Sequence, residues 1–160
     1  MKILVDADSC PGPARELVLR SAVRRGIPAI FAANRPIPGI TGTGVVMKLC
    51  PPGKDSADNH IVELAQPGDL VLTRDIPLAS RLVEASVLVM DDRGQVYTRE
   101  NIRERLSLRD FMVALAENGL GTERTATYGK RTLKAFADSL DRILVRLMRE
   151  KPRDQNREPD

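Results

Sequence analysis

The stretch ILVDADSCPGPARELVLRSAVRRG, residues 3–26, joins a short apolar run to a polar turn and then to an amphipathic segment. Ile3 to Val5 is typical of a buried β-strand, which would end at Asp6. Apolar residues then recur near a 3.6-residue period and Gly26 follows them, so the pattern predicts a helix. A strand followed directly by a helix is the repeating unit of α/β folds.

The same alternation continues through the first ninety residues. Further strands are predicted at residues 27–33, 45–49, 69–73 and 86–90. Helices are predicted between them, from a cap at Ser56 to about Ala65 and from Ile76 to about Ala85. Apolar runs that would be buried on both faces favour a parallel sheet covered by helices. The expected fold is therefore α/β: a three-layer α/β/α sandwich around a mainly parallel sheet of roughly five strands.

The remainder of the chain has a helical pattern. Ser107 with Asp110 resembles a capping box, which would open a helix that ends at Gly119. The buried stripe expected on this helix consists of Leu108, Phe111, Met112 and Leu115. A last helix is predicted from the apolar spacing between Leu133 and Leu147.

Composition indicates one soluble domain. The chain has 160 residues, of which 42% are hydrophobic, and a net charge of +3. Residues 1–150 are expected to form a single domain, and the polar segment 151–160 a disordered tail. No apolar run is long enough to span a membrane, so a cytoplasmic protein with two reduced cysteines is expected. Aromatic residues make up only 3%, which favours contact with nucleic-acid backbones over base stacking.

Acidic residues recur where the predicted strands end. Asp6 and Asp8 follow the first strand, and Asp75 follows the fourth in VLTRD. Asp55 and Asp58 flank the start of the helix after the third strand. Because ligands bind beyond the carboxyl ends of parallel strands, we expect these acids to share one edge of the sheet. Close carboxylates repel unless some are protonated or a cation lies among them, and oxygen ligands suit Mg²⁺ or Mn²⁺.

Several acids at the strand ends also have a structural explanation. Asp75 fits a helix N-cap, and Asp58 suits the dipole in the first turn of a helix. Asp91 and Asp92, beside Arg93-Gly94, are typical of a turn. Asp6 is harder to explain in this way, because an acid that ends an apolar strand needs compensation.

The chain resembles the YaiI/YqxD family of uncharacterised bacterial proteins over most of its length, from Met1 to about Leu147. The stretches that carry the resemblance are VDADSCP, NRPI, GKDSADNHIV, PGDLVLTRDIPLA, RGQVYTRENIRERL and RDFMVAL. That family is similar to the PIN-like nucleases, in which acids at the carboxyl edge of a parallel sheet bind Mg²⁺ or Mn²⁺ for phosphodiester hydrolysis. One departure is Asn59, at a position where relatives commonly carry an acid.

The acids and the resemblance together favour a metal-dependent nuclease or related phosphodiesterase, with RNA as the expected substrate. The metal ligands would be Asp6, Asp58 and Asp75. The catalytic residues would be Asp6, Asp8 and Asp55, of which Asp8 and Asp55 would support the metal or orient the attacking water. The residues expected to contact substrate phosphates are Lys54, Arg103 and Arg109.

Two other functions fit the same sequence. Haloacid-dehalogenase-type phosphatases carry a nucleophilic aspartate and a second acid two residues later, as Asp6 and Asp8 stand here. A non-catalytic RNA-binding or protein-interaction module is the other alternative. Cys10 is not expected to be a nucleophile, since acidic neighbours raise the pKa of a thiol.

Overall fold

The computed structural model describes residues 1–53, 55–120 and 127–150, and within these ranges the chain forms six strands and five helices. The strands are β1 (Ile3–Asp6), β2 (Ala29–Ala33), β3 (Val45–Leu49), β4 (Leu70–Leu72), β5 (Leu88–Met90) and β6 (Val96–Tyr97). The helices are α1 (Gly12–Arg25), α2 (Ser56–Leu64), α3 (Ile76–Glu84), α4 (Arg99–Glu117) and α5 (Lys130–Arg149). The segment 151–160, expected to be a disordered tail, lies outside the described residues.

The strands form one sheet in the order β3-β2-β1-β4-β5-β6. Strands β1 to β5 run parallel, and β6 pairs antiparallel with β5. Successive strands proceed from β1 towards one edge through β2 and β3, and towards the other edge through β4 and β5. The junction between β1 and β4 is therefore the point at which the strand order reverses, where open α/β sheets bind ligands.

The short strand β1 contributes to the cores on both faces of the sheet. Ile3 and Val5 pack in one core cluster with residues of α1 and α5. Leu4 packs in the other cluster with residues of α2 and α3. The alternation of side chains along a strand thus produces helix layers on both sides of the sheet. The predicted α/β sandwich is confirmed, and β6 is the strand that the sequence pattern missed.

Two helix ends show how the sequence determines the layers. Helix α1 ends at Gly26, whose φ of 65° is left-handed and whose N–H donates to the carbonyls of Ala22 and Val23. This stop was predicted. Helix α2 begins at Ser56 itself, so the prediction of Ser56 as a cap was wrong. The residue before it, Asp55, has a left-handed φ of 65°, which aspartate tolerates better than most residues.

Helix α4 differs most from its prediction. It begins at Arg99, because Thr98 and Asn101 form a capping box: the Thr98 hydroxyl accepts from the Asn101 N–H, and the Asn101 side chain accepts from the Thr98 N–H. Ser107 and Asp110 lie inside this helix, so the predicted capping box there was wrong.

The prediction that an apolar stripe on α4 is buried was also wrong. Leu108, Phe111 and Met112 are exposed and Leu115 is half-buried, because α4 begins earlier than predicted and its buried residue, Ile102, lies near its start. The apolar spacing predicted for the last helix is confirmed in α5, where Phe136 and Leu144 are buried. None of the helices in the described part of the chain is both long and apolar enough to cross a membrane.

Candidate functional site

A cavity of about 240 Å³ opens at the carboxyl ends of β1 and β2. Its lining residues are Asp6, Asp8, Ser9, Asn34, Asp55, Ala57 and Asp58. Four of the five acids singled out in the sequence therefore line one cavity. A larger cavity of about 660 Å³ runs along α1 beside Arg15 and Arg20, but none of the five acids lines it. The chemistry of the lining residues favours the smaller cavity as the functional site.

Asp6 ends β1 and lies buried at the back of this cavity, with 5% of its surface exposed. The Thr73 hydroxyl donates to Asp6 Oδ2 at 2.8 Å, and the Ser9 hydroxyl donates to the same oxygen at 2.9 Å. Burial raises the pKa of Asp6, and the charges of Asp75 and Asp8 raise it further, whereas the two hydroxyl hydrogen bonds lower it. The compensation expected for this acid therefore comes from hydroxyl donors on two neighbouring strand ends.

Asp58 lies in the first turn of α2 and is half-buried. Burial raises its pKa to about 6, and the charges of Asp75, Asp6 and Asp55 act in the same direction. Arg81 lowers the pKa only partly. These carboxylates are therefore close enough to repel one another, as the sequence predicted for acids at a shared edge.

Asp8 lies at the solvent side of the cavity and holds the loop after β2. Its Oδ2 accepts a hydrogen bond from the Asn34 backbone N–H at 2.7 Å, and Arg35 Nε lies 3.6 Å from its Oδ1. Asp8 therefore both anchors the loop after β2 and lines the cavity.

Asp75 is the N-cap of α3, because its Oδ1 accepts from the Leu78 N–H at 2.9 Å. This confirms the structural explanation of Asp75, yet its charge also raises the pKa of Asp6 and of Asp58. Asp55 precedes α2 without a side-chain capping hydrogen bond. Asp75 is thus held by its capping hydrogen bond, whereas Asp55 lines the cavity without a capping hydrogen bond.

The basic residues expected to contact phosphate are less concentrated. Lys54 lies outside the described residues. Arg103 and Arg109 are exposed on α4, where Arg109 pairs with Asp110 at 3.3 Å, and neither lines the cavity. The phosphate-binding roles of these three residues stay predictions.

The structure adds Arg74, which the sequence analysis missed. Its backbone N–H lies 3.4 Å from Ser9 Oγ, and its guanidinium binds the buried carboxylate of Asp92 through two nitrogens. About half of the Arg74 side chain stays exposed, at 54%. The signal available in the sequence was its position in TRD, between the residue that binds Asp6 and the cap of α3.

Other candidate groups have structural roles. Asp91 Oδ1 accepts from the backbone N–H groups of Arg93 and Gln95, both at 2.9 Å, so the predicted turn is confirmed. Burial, with the nearby Asp92 charge, raises the pKa of Cys10 to about 12. Cys10 is therefore a neutral thiol at physiological pH, in agreement with the expectation that it is not a nucleophile.

The oxygen donors fit Mg²⁺ or Mn²⁺ in chemical type, but not as a closed cage. Within the described ranges, no group of three or more His, Cys, Asp or Glu side chains is arranged to hold a metal ion. Mg²⁺ commonly keeps several water ligands and takes only one or two carboxylates directly. The cavity is consistent with that mode of binding, because burial and like charge already disfavour ionised Asp6 and Asp58 in the absence of a cation.

Comparison with known proteins gives a consistent family. The family described as "Uncharacterized BCR, YaiI/YqxD family" matches residues 4–146. A protein named only "UPF0178 protein" from Treponema pallidum is 51% identical over 93% of this chain and 84% of its own length. Another of the same name from Myxococcus xanthus is 45% identical over 96% of this chain and all of its own length. No solved structure shows a significant match.

Proposed function

This chain belongs to the YaiI/YqxD family of bacterial proteins, whose description assigns no activity. From the residues of its cavity, we propose that it is a metal-dependent phosphodiesterase that cleaves RNA. The observation that carries the proposal is the raised pKa of Asp58, about 6, in a cavity that it shares with Asp6, Asp8 and Asp55. Perturbed carboxylates in a cavity at the carboxyl ends of parallel strands are typical of functional sites.

The proposed metal ligands are drawn from Asp6, Asp58 and Asp75, with water completing the coordination. A bound Mg²⁺ or Mn²⁺ would supply an activated water and offset the charge that develops on the phosphate. The protein's own contribution is to hold the carboxylates. Thr73 and Ser9 fix Asp6 through their hydroxyls, and the start of α2 fixes Asp58.

Asp8 and Asp55 have supporting roles in this proposal. Asp8 holds the loop that carries Asn34 and Arg35 at the cavity mouth. Asp55 lines the cavity without a capping hydrogen bond, so its carboxylate is available to accept a proton from water or to orient it.

Two arginine residues that contact cavity-lining residues support a polyanionic substrate: Arg35 Nε lies 3.6 Å from Asp8, and the Arg74 N–H donates to Ser9. Arg35 is 75% exposed, and Arg74 is held in place by Asp92 while keeping 54% of its side chain exposed. A guanidinium that is already oriented binds phosphate at a lower entropic cost than a free one.

Three of the five aromatic residues are buried, namely Phe31, Tyr97 and Phe136, which favours contact with the RNA backbone. The two free, buried cysteines accord with our proposal that the protein works in the cytoplasm.

The phosphatase alternative receives less support from the site. A general acid two residues after the nucleophile needs a carboxyl group that is free to reach the leaving group. Asp8 Oδ2 instead accepts from the Asn34 N–H, and Arg35 Nε lies 3.6 Å from Oδ1 in an exposed ion pair. This anchoring of Asp8 gives less support to a role as a free general acid.

The proposal is tested by incubating labelled single-stranded RNA with the wild-type protein and the Asp6→Asn variant, in Mn²⁺ and in EDTA. Asp138→Asn is the matched control, since Asp138 is an exposed acid on α5 that pairs with Lys134. We expect Mn²⁺-dependent cleavage by the wild type and the control, and a reduction of roughly 100-fold or more in Asp6→Asn. Equal cleavage by all three proteins would indicate contamination. RNA binding without metal and without cleavage would support the non-catalytic module.

A further inference from the structure

The cavity of about 660 Å³ beside α1, called the α1 groove below, lies between residues 12–20 and the loop that follows β2. Both of these chain segments also line the cavity that holds the four acids, the acidic cavity. Ser9 lines the acidic cavity, and Gly12, three residues farther on, lines the α1 groove. Asn34 and Pro38 stand in the same relation, four residues apart. Three residues of extended chain span at most about 11 Å, so the two cavities are neighbours.

The α1 groove combines apolar side chains with two arginines. Its apolar lining residues are Pro13, Leu19, Pro38 and Ile40. Arg15 and Arg20 also line it, and within the described part of the chain neither forms an ion pair with an acid. Cavities of roughly 300–1,000 Å³ that have apolar walls and a few charged groups are typical ligand sites. The lining of the α1 groove therefore suits a ligand that is partly apolar and partly anionic.

Arg15 is held at the end of the α1 groove that is nearest to the acidic cavity. Its Nη1 donates to the Cys10 carbonyl at 3.0 Å, and Cys10 directly follows Ser9. The backbone offers few donors at this helix end, because Pro11 and Pro13 have no N–H. A guanidinium carries five N–H donors, so the bond to one carbonyl leaves others for a ligand. A side chain, rather than the helix backbone, therefore supplies the anion-binding donors between the two cavities.

The charges of the α1 groove favour a nucleic acid over a simple polyanion. Arg20 is exposed and lies five residues after Arg15, about 7.5 Å farther along the helix axis. Glu16 lies between them in sequence and also lines the groove. A carboxylate there repels a polyanion that has no donor groups, such as inorganic polyphosphate. The bases of a nucleic acid carry N–H donors that a carboxylate accepts, and their faces suit the apolar lining.

We propose that the α1 groove binds the part of a single RNA strand that extends from the phosphodiester held at the acidic cavity. This inference rests on the proposed phosphodiesterase function, and it defines the substrate as unpaired RNA of several nucleotides. Arg15 contacts a phosphate near the cleaved bond, and Arg20 contacts a phosphate farther along the strand. The apolar side chains contact base faces, which are accessible in a single strand and stacked on one another in a duplex.

Binding of a fluorescein-labelled RNA of about ten nucleotides, measured in EDTA, tests the α1 groove without cleavage. Arg20→Gln should raise the Kd by about 3- to 10-fold and lower the slope of log K against log salt by about 0.7, because one phosphate contact is lost. Arg24→Gln is the matched control, since Arg24 is exposed on the same helix but does not line the groove, and both values should stay unchanged. The same strand annealed to its complement should bind more weakly. Equal effects of the two substitutions, equal binding of the duplex, or no binding by the wild type overturns the proposal.

Substrate length separates this inference from the proposed function. In Mn²⁺, Arg20→Gln should raise the KM for the RNA of about ten nucleotides by about 3- to 10-fold at unchanged kcat. The KM for a dinucleotide should not change, because Arg20 lies about 12 Å along α1 from Gly12, beyond the reach of so short a substrate. Cleavage by the wild type with an unchanged KM in Arg20→Gln overturns the role of the α1 groove and leaves the phosphodiesterase standing. RNA binding that depends on Arg20, without Mn²⁺-dependent cleavage, supports the groove as an RNA site and overturns the phosphodiesterase.

Discussion

The Thr73 hydroxyl donates to the Asp6 carboxylate across the junction of β4 and β1, over a distance of 2.8 Å and a sequence separation of 67 residues. Both residues are buried, at 3% and 5% exposure. A single hydrogen bond thus links the strand end that carries the first acid with the strand end that leads to Asp75.

Replacing Thr73 with Val should destabilise the protein by roughly 1–3 kcal/mol, because a buried carboxylate loses a donor while the side-chain volume is kept. Urea unfolding at neutral pH measures the change. Thr73→Ser keeps the hydroxyl and controls for the branched side chain. In an Asp6→Asn background the cost of Thr73→Val should be smaller, and an unchanged cost would show that the hydroxyl does not act through Asp6.

Asp58→Asn should stabilise the metal-free protein at neutral pH. Between pH 3.8 and about 6 the folded protein retains a proton on Asp58 that the unfolded chain has released, so stability falls as the pH rises through this window. Above about pH 6 the full cost of the charge is present, and the amide removes it. We expect a gain of roughly 1 kcal/mol, allowing for the partial exposure of the side chain.

The measurement is urea unfolding in EDTA at pH 7.5 and again below pH 3.8, where Asp58 is protonated in both states and the gain should vanish. Asp138→Asn, at an exposed position, should show no such pH-dependent gain. A destabilised Asp58→Asn variant at pH 7.5 would contradict the assigned repulsion.

Mn²⁺ or Mg²⁺ should raise the melting temperature of the wild type at pH 7.5, because a ligand that binds only the folded state stabilises it. The increase should shrink below about pH 6, where a proton on Asp58 competes with the metal. Thermal unfolding with and without EDTA measures it. The increase should be reduced in Asp6→Asn and Asp58→Asn, and an equal increase in both variants would place the metal elsewhere.

Asp8→Ala should loosen the loop after β2, since the Asn34 N–H and the Arg35 side chain both lose their partner. The expected destabilisation is about 1 kcal/mol. Amide hydrogen exchange at Asn34 should become faster. Arg35→Gln removes only the exposed ion pair and is expected to cost less, because surface ion pairs contribute little. Unchanged exchange at Asn34 in Asp8→Ala would contradict the anchoring role.

The central sheet and α1 were predictable because their signals are local. An apolar run followed by a 3.6-residue period and Gly26 determines a strand, a helix and a stop within one short stretch. The acids could be assigned to one edge for the same reason, since each follows a predicted strand or begins a predicted helix. Four of them line the same cavity.

The parts that failed depend on distant contacts or on short signals. Strand β6 has only two residues, too few to show a period. The outer half of α4 has a buried pattern in sequence but an exposed position, because burial depends on what packs against a helix. The roles of Thr73 and Arg74 depend on Asp6 and Asp92, which lie far away in sequence.

The central position of β1 also bears on how the protein folds during synthesis. Lys2 and Asp69, whose ion pair of 2.6 Å joins the beginnings of β1 and β4, are separated by 67 residues. At a translation rate of about 5–20 residues per second, β1 waits roughly 3–13 s before β4 has been synthesised. During that interval one edge of β1, whose first three residues are apolar, has no native strand to pair with. The shortness of β1, at four residues, limits the template that it offers for aggregation while its neighbour is still being made.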